Sequence, residues 1–322
     1  MRAARVTRLE GPEAIEVTEV EEPSGEGVLV DVHAAGVAFP DALLTRGLYQ
    51  YRPDPPFILG AEIAGVVRSA PDGAEVGPGD RVVGLTMLSG GMAEVAMLAP
   101  DRAFKLPDNV SFEAGAGLLF NDLTMYFALT VRGRLQQGET VLVHGAAGGI
   151  GTSTLRLAPV LGASRTIAVV STEEKGRIAT AAGATDVVLA EGFKDAVKEL
   201  THGRGVDMVV DPVGGDRFTD SLRSLAPGGR LLVVGFTGGE IPTVKVNRLL
   251  LNNVDVVGVG WGAWAGTHPG ALTEQWTGLS ELLSSGKLAP PEPDVYPLDE
   301  AAAAVASLEK RTAKGKVVLR VR

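Results

Sequence analysis

The stretch best equipped to hold a ligand is Val141-Leu142-Val143-His144-Gly145-Ala146-Ala147-Gly148-Gly149-Ile150-Gly151. An apolar strand feeds a glycine turn, and the turn opens a helix. Ala146–Gly151 fits a six-residue phosphate-binding fingerprint, with alanine where the first glycine usually stands. Gly148 lets backbone approach a pyrophosphate, and Gly151 lets the helix pack against the strand. The N–H groups at such a helix start are free and carry positive potential. Ala147, Gly148, Gly149 and Ile150 are therefore the candidate contacts. An ordinary strand-to-helix turn is the plain alternative, but five further strands follow this one in a strand–helix alternation that suits a dinucleotide.

The second strand of that alternation ends in Val169-Val170-Ser171-Thr172. Sites for NAD usually place an acid there to bind the ribose hydroxyls. Here Ser171 stands in its place, and Lys175 and Arg177 follow within two helical turns. A hydroxyl and cations suit a 2′-phosphate, and charge-assisted hydrogen bonds of ~1.5–3 kcal/mol each would outweigh a tenfold preference. The expected cofactor is NADPH. Glu173 and Glu174 run against this unless they are solvated first-turn acids, and Lys175 would then be plain surface.

Other chemistries lack their residues. Cysteine is absent, so no thiolate can attack a substrate or hold a metal. The four histidines, His33, His144, His202 and His268, have no metal-ligand spacing to one another. No metal is expected. His144, beside the glycine loop, reads best as a packing residue.

These residues need a scaffold. Val28–Val32, Ile63–Val67 and Arg81–Gly84 read as strands of a β-rich first part. Ser111 starts a helix, and a longer one is expected from about Leu123 to Arg134. From Thr140 six short apolar strands alternate with helices, the pattern of a doubly wound parallel sheet. A helix over 271–284 follows, then an alanine-rich helix that Asp299 can cap, and Val317-Val318-Leu319 as a closing strand. The fold class is α/β. The 322 residues suit two domains, one of 1–118 with 265–322 and a nucleotide-binding one of 119–264. The net charge of −9 disfavours nucleic acid as a partner. No signal peptide or membrane span is evident, so a cytoplasmic protein is expected.

Several segments, in order, resemble the medium-chain dehydrogenase/reductase superfamily, and within it the zinc-free quinone oxidoreductases that include the zeta-crystallins. They are Ala35–Asp41, Pro56–Gly65, Gly79–Val82, the Ala-Ala-Gly-Gly-Ile-Gly loop and Asp211–Gly215. The resemblance implies a GroES-like first domain and a Rossmann second domain. Zinc-dependent relatives carry metal ligands where Ala38 and Ala61 stand, and many quinone reductases have Asn at the Ala38 position. By the same resemblance Tyr49 and Thr124 are the candidate catalytic residues, with Asn121 beside the nicotinamide. Val213, Gly235, Phe236, Val259, Gly260 and Trp261 would line the nicotinamide end, and Arg311 would lie near the 2′-phosphate. Each has a plainer alternative. Tyr49 closes a loop, Asn121 and Thr124 cap helices, Trp261 packs at a subunit interface, and Arg311 is a helix-end cation. Ala190 stands where relatives stack a tyrosine on the adenosine.

The expected activity is zinc-independent hydride transfer from NADPH to a quinone or similar electron-poor acceptor. An α,β-unsaturated carbonyl reductase is one alternative. A non-catalytic, crystallin-like NADPH-binding protein is another. The family resemblance implies a dimer or tetramer, in which the last Rossmann strand extends the sheet across a twofold axis.

Overall fold

The computed structural model describes residues 1–86 and 88–322. The chain divides into two compact units, Met1–Leu123 with Pro269–Arg322, and Thr124–His268.

In the first unit, seven strands form the main sheet. Along it lie Asp294–Pro297, Val317–Arg320, Val28–Val37, Glu62–Ser69, Arg81–Leu85 and Ala103–Lys105, while Val95–Leu98 pairs with Val28–Val37. The central strand shows why. Val28, Val30 and Val32 are fully buried while Leu29, Asp31 and His33 between them are partly exposed, the period of two of a pleated strand. Its second half, Ala34 to Val37, is buried on both faces. These small side chains break the alternation, which is why the sequence pattern marks only Val28–Val32. The strand Val317–Arg320 pairs antiparallel with this second half, bringing the C-terminal segment into the sheet. The last helix, Ala301–Glu309, is not capped by Asp299. Asp299 falls within a preceding 3₁₀ turn, Leu298–Glu300, and its carboxylate receives Arg2 Nη1 instead.

The helical run between the sheets is longer than its sequence pattern suggests. It extends from Phe112 to Arg132 and is wound wide, π-fashion, over Leu119–Leu123 and Ala128–Arg132. Its first helical turn, Phe112–Gly115, passes through a turn at 116–118 into the wide stretch that follows. It is long and apolar enough to cross a membrane, yet most of it is buried in the fold. Such wide turns interrupt the regular ladder and cluster at functional positions.

The second unit holds six parallel strands, labelled here β1 (Thr140–His144), β2 (Arg165–Val170), β3 (Asp186–Leu189), β4 (Val206–Asp211), β5 (Leu225–Val233) and β6 (Asp255–Gly258). Their order is β3-β2-β1-β4-β5-β6. This is the expected doubly wound sheet. Leu142, Ile167, Val209 and Leu231, on four adjacent strands, are fully buried and belong to one cluster. Strand order reverses between β1 and β4, and ligands of such sheets lie outside the carboxyl ends at that point.

Candidate active site

The glycine loop leaves β1 at that reversal. Gly145 takes a left-handed conformation (φ 58°), and a Cβ there would stand 3.3 Å from Val213 beyond β4. Ala146 N–H donates to Val169 O of β2 at 3.2 Å, and Gly148 N–H to Gly145 O at 2.9 Å. The helix Gly149–Val160 then begins with Gly148 as its N-cap. Gly151 is needed for packing. A Cβ there would fall 2.5 Å from both Ala146 C and Gly145 O. Gly148 is different. Its φ of −89° suits any residue, and a Cβ would meet only Gly145 O, at 3.3 Å. A methyl at 148 would ask Gly145 O to give by only a few tenths of an ångström, beside the N–H groups of a helix start.

Beyond β2, Ser171 is exposed, Lys175 half-buried and Arg177 exposed. Thr172 is the N-cap of the helix Glu173–Ala181, its hydroxyl accepting Lys175 N–H at 3.3 Å. Glu173 and Glu174 are exposed in the first turn, where they favour the helix dipole.

The ends of β4, β5 and β6 are tied together by backbone. Val234 N–H donates to Asp211 O, Thr237 N–H to Pro212 O, Gly238 N–H to Val213 O and Val259 N–H to Val233 O, at 2.8 to 3.0 Å. Asp211, a residue the motif contains but sequence reasoning gave no role, organises this corner. Its buried Oδ1 accepts both Val213 N–H and Gly214 N–H at 2.9 Å. An Asx turn of this kind presets the backbone locally. A Cβ on Gly214 would stand 3.0 Å from the Phe236 ring. Gly145, Val213, Gly235 and Phe236 thus lie just past the carboxyl ends of β1, β4 and β5, with Val259, Gly260 and Trp261 following β6. Phe236 is 38% exposed and Trp261 7%.

His144 ends β1 fully buried. Ser221 donates its hydroxyl hydrogen to Arg217 O at 2.9 Å, so His144 Nε2–H donates to Ser221 Oγ at 2.8 Å. Phe193 meets the ring edge-on, centroids 4.9 Å apart. Burial holds the imidazole neutral, with its pKa pushed down to about 4. It packs and orients, and nothing here prepares it as an acid or base near neutrality. Thr124, at the start of a regular turn of the same unit, is buried. Its helix carries Phe127, whose ring stacks on Trp264 at 4.6 Å.

In the first unit, Tyr49 is half-buried against the sheet core. Burial, and secondarily the charge of Asp41, raises its phenol pKa, so the hydroxyl remains a proton-bearing donor. Asp41 itself is buried beneath Ala38. It accepts Ala38 N–H at 2.8 Å and Gly60 N–H at 3.2 Å, and burial raises its pKa to about 6. Asn121 lies, buried, in the first wide turn of the long helical run. Arg311 is exposed just past the last helix, in a left-handed conformation (φ 58°), with its N–H on Leu308 O. That is a helix-end position. Among the described residues, no group of three or more His, Asp or Glu side chains has the arrangement to hold a metal ion.

Residues 24–108 match the alcohol dehydrogenase GroES-like domain, and residues 149–285 match the family described as zinc-binding dehydrogenase. The chain is 37% identical to quinone oxidoreductase-like protein 2 of Rattus norvegicus, over 99% of this chain and 91% of that protein. Its structure resembles a probable oxidoreductase from Mycobacterium abscessus, with 44% identity, TM-score 0.91 and coverage of 100% and 99% of the two chains. It is also similar to the Escherichia coli quinone oxidoreductase complexed with NADPH, at 30% identity and TM-score 0.89, with both chains fully covered. The order of motifs, the two units and these matches agree: the chain belongs to the quinone oxidoreductase group of the medium-chain dehydrogenase/reductase superfamily.

Proposed function

We propose that this protein is an NADPH-dependent oxidoreductase that reduces a quinone, or an acceptor of similar electron demand, without a metal ion. The observation that carries this reading is Gly148. A small side chain would suit its backbone and press only on Gly145 O, yet none is present where a helix start at the sheet's reversal point can take a diphosphate. The ligand, rather than the fold, accounts for the glycine. The Escherichia coli relative, seen with NADPH, supports the same nucleotide here.

When bound, the dihydronicotinamide supplies a hydride, two electrons and one proton's worth of hydrogen, to the acceptor carbonyl system. The chain's own residues bind and orient. Ala147, Gly149 and Ile150 offer backbone N–H groups to the diphosphate. Ser171 and Lys175 provide a hydroxyl and a cation for the 2′-phosphate. Val213, Gly235, Phe236, Val259 and Trp261 enclose the nicotinamide end and exclude water, with Asn121 and Thr124 as its polar contacts. The Tyr49 phenol, protonated at neutral pH, donates to the acceptor oxygen as negative charge develops there. Water supplies the proton that completes the hydroquinone. Positioning accounts for most of the rate, and no metal ligand or nucleophile is required. Steady-state oxidation of NADPH with a panel of quinones and enones, by chelator-treated protein, tests the reading. Tight NADPH binding without turnover on either class would refute it.

We assign a second copy of the chain to the β6 edge. Among the described residues, β6 pairs only with β5. Ile241, Val246, Leu250 and Leu251 in the segment leading to it are 70 to 77% exposed, and open edges with apolar flanks favour pairing.

A further inference from the structure

A buried ion pair in the first unit was given no role in the function proposed above. Lys316 Nζ donates to Glu62 Oε1 at 2.6 Å and to Val37 O at 3.0 Å. Glu62 Oε2 accepts Phe120 N–H at 2.7 Å. Both side chains are almost wholly inaccessible, at 3% and 1%. Burying two charges is costly, and a buried pair is often no more stabilising than an apolar one. Placement, rather than stability, is the better account of such a pair.

What it places is specific. Val37 precedes Ala38, whose N–H is held by Asp41 in the first turn of the helix Phe39–Thr45, and that helix leads to Tyr49. Phe120 precedes Asn121 in the wide helical turn. Space has been cleared for the pair. A Cβ on Gly36 would collide first with Ala116 O and would also stand 2.5 Å from Glu62 Cγ and 2.6 Å from Glu62 Oε1, and one on Gly117 would stand 3.0 Å from Lys316 Cγ. Burial pushes the Glu62 carboxyl up, and the Lys316 ammonium and the Phe120 amide draw it back.

We infer that the Lys316–Glu62 pair is a positioning device for hydride transfer, fixing the Val37–Ala38 segment against the Phe120–Asn121 turn. This rests on the proposed NADPH-dependent reduction. Neither residue touches the reacting atoms. They hold the backbone that presents Asn121 and, through Ala38 and Asp41, the Tyr49 region.

The test compares wild type with Lys316→Met, Lys316→Arg and the double variant Glu62→Gln/Lys316→Met. It measures thermal midpoint, NADPH affinity, kcat and KM with a 1,4-quinone, and the isotope effect with NADPH deuterated at the transferred position. A misplacement near 1 Å can reduce a rate by about a hundredfold, so Lys316→Met should lower kcat by about tenfold or more with KM for the quinone little changed. Lys316→Arg, which keeps a cation able to reach both oxygens, should recover most of it. The double variant leaves no unpaired charge. It should regain the wild-type midpoint but not kcat, and its isotope effect should rise as chemistry becomes slower. If Lys316→Met does not fold, the arginine and double variants carry the comparison. A double variant that regains kcat together with its midpoint overturns the inference, as does Lys316→Met with wild-type kcat. Wild type that binds NADPH but reduces no acceptor fails at the earlier step and refutes the function itself.

Discussion

Replacing each of two glycines in one turn by alanine should have opposite consequences. At Gly151 the added methyl lies 2.5 Å from Ala146 C and from Gly145 O. Both are backbone atoms, and ordinary contact between carbons is about 3.5 Å, so loop or helix must yield by roughly 1 Å. Overpacking of this kind costs about 1–3 kcal/mol, and a rigid backbone neighbour places Gly151→Ala at the upper end. For a unit this size, that is a fall in the thermal midpoint of roughly 5–10 °C. At Gly148 the methyl meets a single oxygen at 3.3 Å, and the backbone is already in a conformation alanine adopts. Reduced freedom of the unfolded chain, worth about 0.4–1 kcal/mol, offsets that contact, so Gly148→Ala should melt within a few degrees of wild type. Its methyl would nevertheless occupy the space of the diphosphate, weakening NADPH by about tenfold or more, or 1.4 kcal/mol. Thermal denaturation without ligand and fluorescence titration with NADPH give the two quantities for each variant. Gly148→Ala that binds NADPH like wild type, or melts as low as Gly151→Ala, would refute the assignment of that glycine to the ligand.

Ser171→Asp combined with Lys175→Ala should shift preference from NADPH toward NADH by about a hundredfold, since each charge-assisted bond contributes about 1.5–3 kcal/mol; paired titrations with the two nucleotides measure it. Arg230 is buried and donates to both Glu139 oxygens at 2.6 and 2.7 Å, so Arg230→Met should destabilise by about 3 kcal/mol in urea denaturation, because Glu139 loses its cation and keeps the Gln136 amide. Burial lowers the His144 pKa from the ordinary 6.5 to about 4; its contribution is complete above pH 6.5 and lost as pH falls toward 4. His144→Asn should flatten the acid limb of stability between those values. Asp41 acts oppositely, because its pKa is raised from 3.8 to about 6, so its contribution is complete below pH 3.8 and lost as pH rises through 6. Leu250→Lys should reduce association measured by sedimentation, if the β6 edge is where a second copy pairs.

The parallel sheet was legible because its strands are apolar on both faces and separated by helices, a pattern that reads from one residue to the next. The glycine loop was legible for the same reason, as strand, turn and helix adjoin in the chain. Three things were not. The second half of Val28–Val37 has no alternation, since Ala34, Ala35 and Gly36 are buried regardless of face. The wide turns around Asn121 have no residue signature, because a π turn reflects packing around the helix more than local preference. The Lys316–Glu62 pair joins residues 254 apart, and one buried cation near the C-terminus resembles any surface lysine until the fold is known. Asp211 was quoted within a motif, but its role is geometric. Only its buried Oδ1 between two amides shows that it sets the loop carrying Val213.

The most direct test of the central claim is a single-turnover mixing experiment. Chelator-treated protein loaded with NADPH is mixed anaerobically with a 1,4-quinone, and the nucleotide absorbance is followed in time. The account predicts a decay whose rate saturates with quinone and slows when the transferred hydrogen is deuterium. A decay no faster than the uncatalysed reaction, or one restored only by added zinc, would contradict it.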